Sequence, residues 1–122
     1  MTIAAAMKIG RELRGVEQTT TWGAPALKLR GKMIACQANN KAAEPNTLVV
    51  RVPFPHRDEL IASDPNTYYL KPHYEDYPCV LVRLSRVHPD ALRGLLRMGW
   101  EFTSTSTARK RTRPAAKRTA RA

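Results

Sequence analysis

The stretch TTTWGAPALKLRGKMIACQ, residues 19–37, predicts a β-hairpin and with it an antiparallel sheet. Leu27 and Leu29 alternate with charged residues, which is the pattern of a strand with one buried face. Gly31 favours a tight turn at the centre of the stretch, and the second arm of the hairpin is expected over 33–38. The rest of the fold is expected to build outward from this hairpin.

Periodicity on both sides of the hairpin predicts three helices and further strands. The expected helices cover 3–14, 55–65 and 89–100, and the expected strands cover 48–52, 67–71 and 79–84. CVLVRL, residues 79–84, is almost wholly apolar, as expected for a strand covered on both faces. The order of elements predicts an α+β fold, in which helices pack on one face of an antiparallel β-sheet.

A single core is expected to form from the inward-facing apolar residues of these strands and of the last helix. Nine residues are predicted to be buried in it: Leu27, Leu29, Leu48, Val50, Val80, Val82, Leu92, Leu95 and Leu96. Burial of Val82 together with Leu95 would support this assignment, because one lies on a strand and the other on a helix.

Positive charge is concentrated near the C-terminus of the 122 residues, which carry a formal net charge of +11. Residues 108–122 hold seven basic residues and no acid, whereas residues 1–107 hold 14 basic and 10 acidic residues, a net +4. The terminal stretch also lacks large apolar residues and is expected to be disordered. We therefore predict one α+β domain over 1–106 and a disordered basic tail over 107–122.

Composition argues against several classes of protein. Cys36 and Cys79 lie 43 positions apart and form neither a disulfide framework nor a zinc pattern. The N-terminus has charge after its short apolar stretch, the reverse of a signal peptide, and no stretch reaches membrane-spanning length. A cytoplasmic protein without membrane contact is the expectation.

Neither a metal site nor a catalytic site is predicted. His56, His73 and His88 have no paired spacing typical of metal ligands, so no metal and no cofactor are expected. The sequence contains no glycine-rich phosphate loop and no nucleophile motif. We therefore expect a binding protein and not an enzyme.

Basic residues on the hairpin point to a polyanionic partner. Lys28 and Arg30 are two positions apart and are expected to share a solvent-facing surface that Lys32 extends across the turn. A cationic hairpin is one way for a protein to contact the phosphates of nucleic acid. The predicted contact residues are Lys28, Arg30, Lys32, Arg51, Lys71, Arg83, Arg86, Arg109, Lys110, Arg111 and Arg113.

Residues 68–77, called the tyrosine segment here, contain all four tyrosines of the chain together with Lys71 and His73. Such interleaving is typical of a surface that stacks on bases or contacts phosphates. It is also compatible with rings that fill a gap between sheet and helix, and we expect Tyr74 and Tyr77 to be mainly structural, anchoring the loop that leads into the strand at 79–84. A module that binds a small ligand or a protein is therefore the alternative function, with a candidate pocket formed by Trp22, Tyr69, His73 and Tyr74.

Three motifs resemble the MmcQ/YjbR family. They are G-V-E-x-x-T-x-W-G-x-P-A-L-K-L-R-G-K-M-I-A at 15–35, D-E-L-I-A-S-D-P-x-T-Y-Y-L at 58–70 and H-Y-x-D-Y-P-C-V-L-V-R-L at 73–84. The resemblance implies a CyaY-like (frataxin-like) fold with a "double wing" arrangement, and a bacterial DNA-binding protein. Nucleic acid, more specifically DNA, is the partner it implies, and a monomer is the expected state.

Overall fold

In the computed structural model, which describes residues 1–21, 23–38 and 43–112, three helices pack on one face of a six-stranded antiparallel sheet. The strands are β1 (Val16–Thr21), β2 (Ala24–Leu29), β3 (Lys32–Gln37), β4 (Thr47–Arg51), β5 (Tyr68–Tyr69) and β6 (Cys79–Arg83). The helices are α1 (Ile3–Gly10), α2 (Phe54–Ser63) and α3 (Pro89–Thr112), and a short 3₁₀ turn spans Pro72–Tyr74. The predicted α+β class is confirmed.

The first four strands form a continuous meander, and β6 then lies between β4 and β5, giving the order β1-β2-β3-β4-β6-β5. The β2–β3 ladder contains one irregularity, because Leu27 pairs with Ala35 whereas the next residue, Lys28, pairs with Met33. Ile34 is therefore an extra residue in β3, as in a β-bulge. Its side chain joins the core beneath α3.

The main core lies between the sheet and the helices. All nine residues predicted to form it are buried there, Val82 and Leu95 included. Met7 of α1 adds to it, and Leu60 and Ile61 of α2 pack against it half-buried. Because α1, α2 and α3 all contribute to this one cluster, the predicted placement of the helices on a single face is confirmed.

The opposite face of the sheet, called the open face here, carries a smaller apolar cluster. Val49, Tyr69, Cys79 and Leu81 are buried in it. Ala38, Ala43 and Tyr74 pack against this cluster from the loop after β3 and from the tyrosine segment. Since β6 contributes to both clusters, the prediction that 79–84 is covered on both faces is confirmed.

The first and last helices depart most from their predicted bounds. The first helix ends at Gly10 instead of residue 14, because the amides of Glu12 and Leu13 turn to carbonyls three positions back. The last helix continues twelve residues past Trp100, to Thr112. Thr103, which is buried, prolongs the inward face of α3 without adding an apolar residue to the pattern.

The extension of α3 reaches into the stretch predicted to be a tail. Residues 107–112, predicted to belong to a disordered tail, are helical. The rest of that predicted tail, residues 113–122, lies outside the described residues. None of the helices in the described ranges has the length and apolar content needed to cross a bilayer.

Candidate functional site

The turn between β2 and β3 places a cation at the tip of the predicted hairpin. Arg30 and Gly31 form a two-residue connection with φ values of 53° and 80°, which is the conformation of a type I′ turn. Positive φ is easily adopted by glycine but is unfavourable for arginine. The exposed side chain of Arg30 is thus held at the tip by a strained backbone.

The register of β2 and β3 divides the hairpin cations between the two faces of the sheet. Lys28 pairs with Met33, whereas Lys32 pairs with Leu29. Residues that pair across strands share a face, and successive residues alternate. Lys32 therefore lies on the face of Leu29, towards the helices, and Lys28 lies on the open face. The expectation of one surface formed by Lys28, Arg30 and Lys32 is corrected accordingly.

Arg83 has a structural environment that the sequence did not indicate. Its guanidinium binds both carboxylate oxygens of Glu44, at 2.9 and 2.7 Å, and donates to the carbonyls of Pro65 and Asn66. It also lies 4.2 Å from the ring centroid of Tyr69. Arg83 therefore joins the loop after β3 to the sheet. Because its donors are engaged inside the protein, it is no longer a candidate for contact with phosphates.

Titration of Glu44 gives this ion pair a pH dependence. The hydrogen bond from Arg83 lowers the pKa of Glu44 below its ordinary value, and the same hydrogen bond raises the pKa of Arg83. A carboxyl whose pKa is lowered on folding stabilises the fold above its unfolded pKa and loses that contribution as pH falls through the folded pKa. The pair therefore ties down the loop at neutral pH and weakens in acid.

We expect Glu44→Gln to melt at a lower temperature than the wild type at pH 7, because the charge-assisted pair is lost. The difference in melting temperature should narrow as the pH drops below the ordinary glutamate pKa of about 4.3, because protonated Glu44 is uncharged, as glutamine is. Thermal unfolding of both proteins over this pH range measures the effect. A difference between the two melting temperatures that does not change with pH would contradict a charged pair between Glu44 and Arg83.

The remaining predicted contact residues are distributed over several elements. The guanidinium of Arg51, at the end of β4, is 5.1 Å from the ring centroid of Phe102 on α3. Lys71 is exposed on the tyrosine segment, with its ammonium 5.9 Å from the Tyr69 ring centroid, and Arg86 is exposed after β6. Arg109, Lys110 and Arg111 fall within α3; Arg113 lies outside the described residues.

A groove of ≈ 420 Å³ opens between the open face of the sheet and the tyrosine segment. Its sheet side contains Cys36, Val49 and Cys79, from the three adjacent strands β3, β4 and β6. Its other side contains His73, Tyr74, Tyr77 and Pro78. This volume falls within the range of small-molecule sites, roughly 300–1,000 Å³.

The candidate pocket is only partly the one predicted. His73 and Tyr74 line the groove, and their rings meet edge to face at 4.9 Å. Tyr69 instead is buried beside it, with its hydroxyl 2.6 Å from Thr47 Oγ1 and accepting from the amide of Glu44. Trp22 lies outside the described residues.

Tyr77 is one of the groove residues that were not among the four predicted for the pocket. Its side chain is 57% exposed, so it is not the buried anchor that a structural role would require. Arg57 of α2 fixes the backbone beneath it, donating to the carbonyls of Glu75 and Tyr77 at 3.0 and 3.4 Å. The ring thus projects from a segment that is held by hydrogen bonds. In the sequence, the density of tyrosines was the one feature that indicated a role for Tyr77.

The two thiols of the groove suit packing better than reactivity. Burial raises the pKa of Cys36, and burial raises the pKa of Cys79 to about 11. A thiol with a raised pKa is a weak nucleophile at neutral pH, because little thiolate is present. Across the described ranges, no three His, Cys, Asp or Glu side chains come together as a metal-binding group.

Comparison with known proteins begins with a family model described as YjbR, which matches residues 11–102. Two curated relatives are similar over a shorter stretch: the uncharacterized proteins Rv2570 of Mycobacterium tuberculosis (strain ATCC 25618 / H37Rv) and Mb2600 of Mycobacterium bovis (strain ATCC BAA-935 / AF2122/97). Each is 42% identical over 41 residues, which make up 34% of this chain. The match spans only 32% of the length of each relative.

The fold resembles a solved structure. The crystal structure of Deinococcus radiodurans protein DR2400, described as a DUF419 domain, superposes with a TM-score of 0.69. The superposition covers 90% of this chain and 86% of that one, at 21% sequence identity. At this level of identity the similarity establishes a shared fold.

Proposed function

This chain belongs to the YjbR family. From that premise we propose that it is a DNA-binding protein. It contacts phosphates through Lys28, Arg30 and Lys71 and through its basic C-terminal stretch, residues 107–122. The proposal is for a binding protein and includes no catalysed step. Nucleic-acid binding of this kind draws most of its free energy from the release of counterions by lysine and arginine.

One observation carries the proposal, namely exposed positive charge that the folded domain does not neutralise. Among the described residues, ion pairs with carboxylates engage Arg57, Arg83, Arg93 and Arg97. Neither Arg30 nor Lys71 forms a close ion pair within those residues, although the charge of Lys71 helps to lower the pKa of Glu44. Lys28 forms none there either, although Glu17 lies opposite it on β1. Charges left unpaired in this way remain available to a polyanion.

The backbone conformation of Arg30 at the hairpin tip also supports the proposal. A type I′ turn is normally built from glycine, asparagine or aspartate, so arginine at position 30 makes the turn less stable. A strained residue that persists in a fold is a reasonable candidate for a functional one. Here the strain would be balanced by a cation presented at the end of a rigid hairpin.

Titration of the full chain with duplex DNA, single-stranded DNA and RNA over a series of salt concentrations tests the proposal. We expect the affinity for nucleic acid to fall as salt rises, with a slope of about −0.9 for each duplex phosphate contacted and about −0.7 on a single strand. An absence of binding to all three at low salt would refute the proposal.

A substitution at the tip of the hairpin separates its role in binding from its effect on stability. Arg30→Asn should raise the free energy of unfolding by up to about 1 kcal/mol, because asparagine tolerates positive φ. It should also lower the affinity for nucleic acid and make the salt slope shallower by about 0.9, the contribution of one duplex phosphate. Denaturant unfolding and a salt titration measure the two effects.

The matched control is Lys8→Gln, which removes an exposed cation from α1 on the helix-bearing side of the sheet. This change should leave the affinity for nucleic acid close to that of the wild type. An equal loss of affinity in both variants would mean that the hairpin contributes only general charge.

The alternative function, a module for a small ligand or a protein, has one specific observation in its favour. The groove beside the tyrosine segment has the size of a ligand site, and its lining is largely apolar. If the full chain binds no nucleic acid at low salt, this alternative becomes the leading proposal.

A further inference from the structure

We propose that the groove holds one unpaired base of a nucleic-acid strand, so that the protein binds single strands in preference to duplexes. This inference rests on the proposed function and adds the class of nucleic acid to it. It follows from the aromatic side of the groove, from the shape of its sheet side and from the polar side chains in its lining.

The aromatic side of the groove can stack on a base. Tyr77 and Phe54 are the two large apolar side chains that the described residues leave well exposed, and of these only Tyr77 lines the groove. Its backbone is held by Arg57, which limits the freedom that the ring would lose on binding. Stacking of bases on exposed aromatic rings is a general means of binding single strands without regard to sequence.

The sheet side of the groove admits a flat ring. Cys36, Val49 and Cys79 are small and apolar; Cys36 pairs with Val49, and Cys79 lies on the next strand, two residues from the partner of Val49. Each projects from the open face, and within the described ranges α1, α2 and α3 pack on the opposite side of the sheet. A planar group inserted here would contact the sheet on one face and Tyr77 or His73 on the other, and apolar surface would be removed from water on both sides.

The groove lining also includes polar side chains, among them Thr21 and Arg51. Thr21 Oγ1 is buried on the groove lining and has no hydrogen-bond partner among the described residues. A buried hydroxyl without a partner is unfavourable, and the polar edge of a base could supply one once the atoms that cover the hydroxyl move aside. Arg51 also lines the groove, although its guanidinium lies over the Phe102 ring of α3 and would have to turn towards the groove to pair with a phosphate.

A base within a duplex cannot enter this groove without leaving its stack and its partner strand, which costs base-pair hydrogen bonds and stacking energy. A single strand meets no such cost. Duplex DNA should therefore bind through phosphate contacts alone, whereas a single strand should bind through the groove as well.

Fluorescence anisotropy of the full-length chain with a labelled oligothymidylate of about 12 nucleotides, and with a blunt duplex of equal length, tests this preference. Measurements at several salt concentrations separate it from the general attraction of the C-terminal cations. We expect the single strand to bind about tenfold more tightly, and Tyr77→Ala to remove about that factor for the single strand alone. Tyr77→Phe keeps the ring and should bind both probes as the wild type does.

Protection of Cys36 from a thiol reagent shows directly whether the groove is occupied. Cys36 is the more accessible of the two cysteines, and both line the groove. Because burial raises the pKa of Cys36, the reaction is run at alkaline pH, where more thiolate is present. Oligothymidylate should slow its modification at least severalfold, and the duplex should not. Thymidine monophosphate serves as a third probe, which distinguishes a free nucleotide from a base within a strand.

Three outcomes would overturn the inference. The first is equal affinity for single strand and duplex, with Tyr77→Ala changing neither, which would leave DNA binding itself intact. The second is protection of Cys36 by the mononucleotide but not by the oligothymidylate. The third is binding of neither DNA probe at low salt, which would refute the proposed function together with this inference.

Discussion

Gly99→Ala is expected to destabilise the protein by about 1–3 kcal/mol, the usual cost of adding a methyl group to a filled core. Gly99 lies where α3 crosses the sheet, and a Cβ atom there would be 2.7 Å from the carbonyl oxygen of Arg51 and 3.1 Å from Ile34 Cγ2. The first of these neighbours is backbone in a central strand and cannot move aside cheaply. The preference of helices for alanine over glycine, about 1 kcal/mol, should offset only part of the cost.

Gly94→Ala provides the matched control within the same helix. A Cβ atom at Gly94 would have no heavy atom within 4 Å, so the substitution should stabilise the protein by about 0.5–1 kcal/mol. Urea unfolding of the two variants and the wild type measures both effects. If Gly99→Ala proved as stable as Gly94→Ala, the close approach of α3 to β4 would be incorrect.

Removal of the residues after Thr107 is expected to have the largest effect on binding. The deleted stretch contains seven cations and no acid. Each duplex phosphate that the truncated chain no longer neutralises should make the plot of log affinity against log salt shallower by about 0.9, so the slope should change by several units. Affinity at low salt should fall by orders of magnitude, and salt titrations of the truncated and full-length chains measure both changes.

Two further variants separate charge from chain length. Truncation after Thr112 removes Arg113, Lys117, Arg118 and Arg121 but retains the end of α3, and it should have an intermediate effect on the slope. Substitution of glutamine for all seven cations keeps the length and should match the full truncation. A slope unchanged by the truncation would show that the C-terminal cations do not contact DNA.

The sequence was most informative about the core, because apolar periodicity reports burial directly. All nine core residues were predicted correctly, and β6 was identified as covered on both faces. The edge strand β1 was missed, since VEQTTT contains a single large apolar residue and shows no clear alternation. The length of α3 was underestimated for a similar reason, as buried Thr103 does not resemble a core residue in the sequence.

The candidate site was less predictable, because the role of a charged side chain depends on neighbours far away in the chain. Arg83 has the same appearance in the sequence as any exposed cation, yet its partner Glu44 lies 39 positions earlier. The separation of Lys28 from Lys32 depends on pairing across the β2–β3 turn, which a count along one strand does not reveal. Tyr69 and Tyr77 differ in burial because only the former lies within a strand of the sheet.

The two edge strands of the sheet affect how readily the protein aggregates. Open strand edges can recruit strands of other molecules and so begin aggregation. On one margin β1 offers a polar stretch in which Glu17 and Gln18 are exposed, and on the other β5 consists of only two residues. Neither margin is a favourable template for intermolecular pairing, and the high net charge adds mutual repulsion between copies. We therefore expect concentrated solutions of the protein at low salt to stay free of fibrils, while added polyanions should bring its molecules together through their charge and not through their sheets.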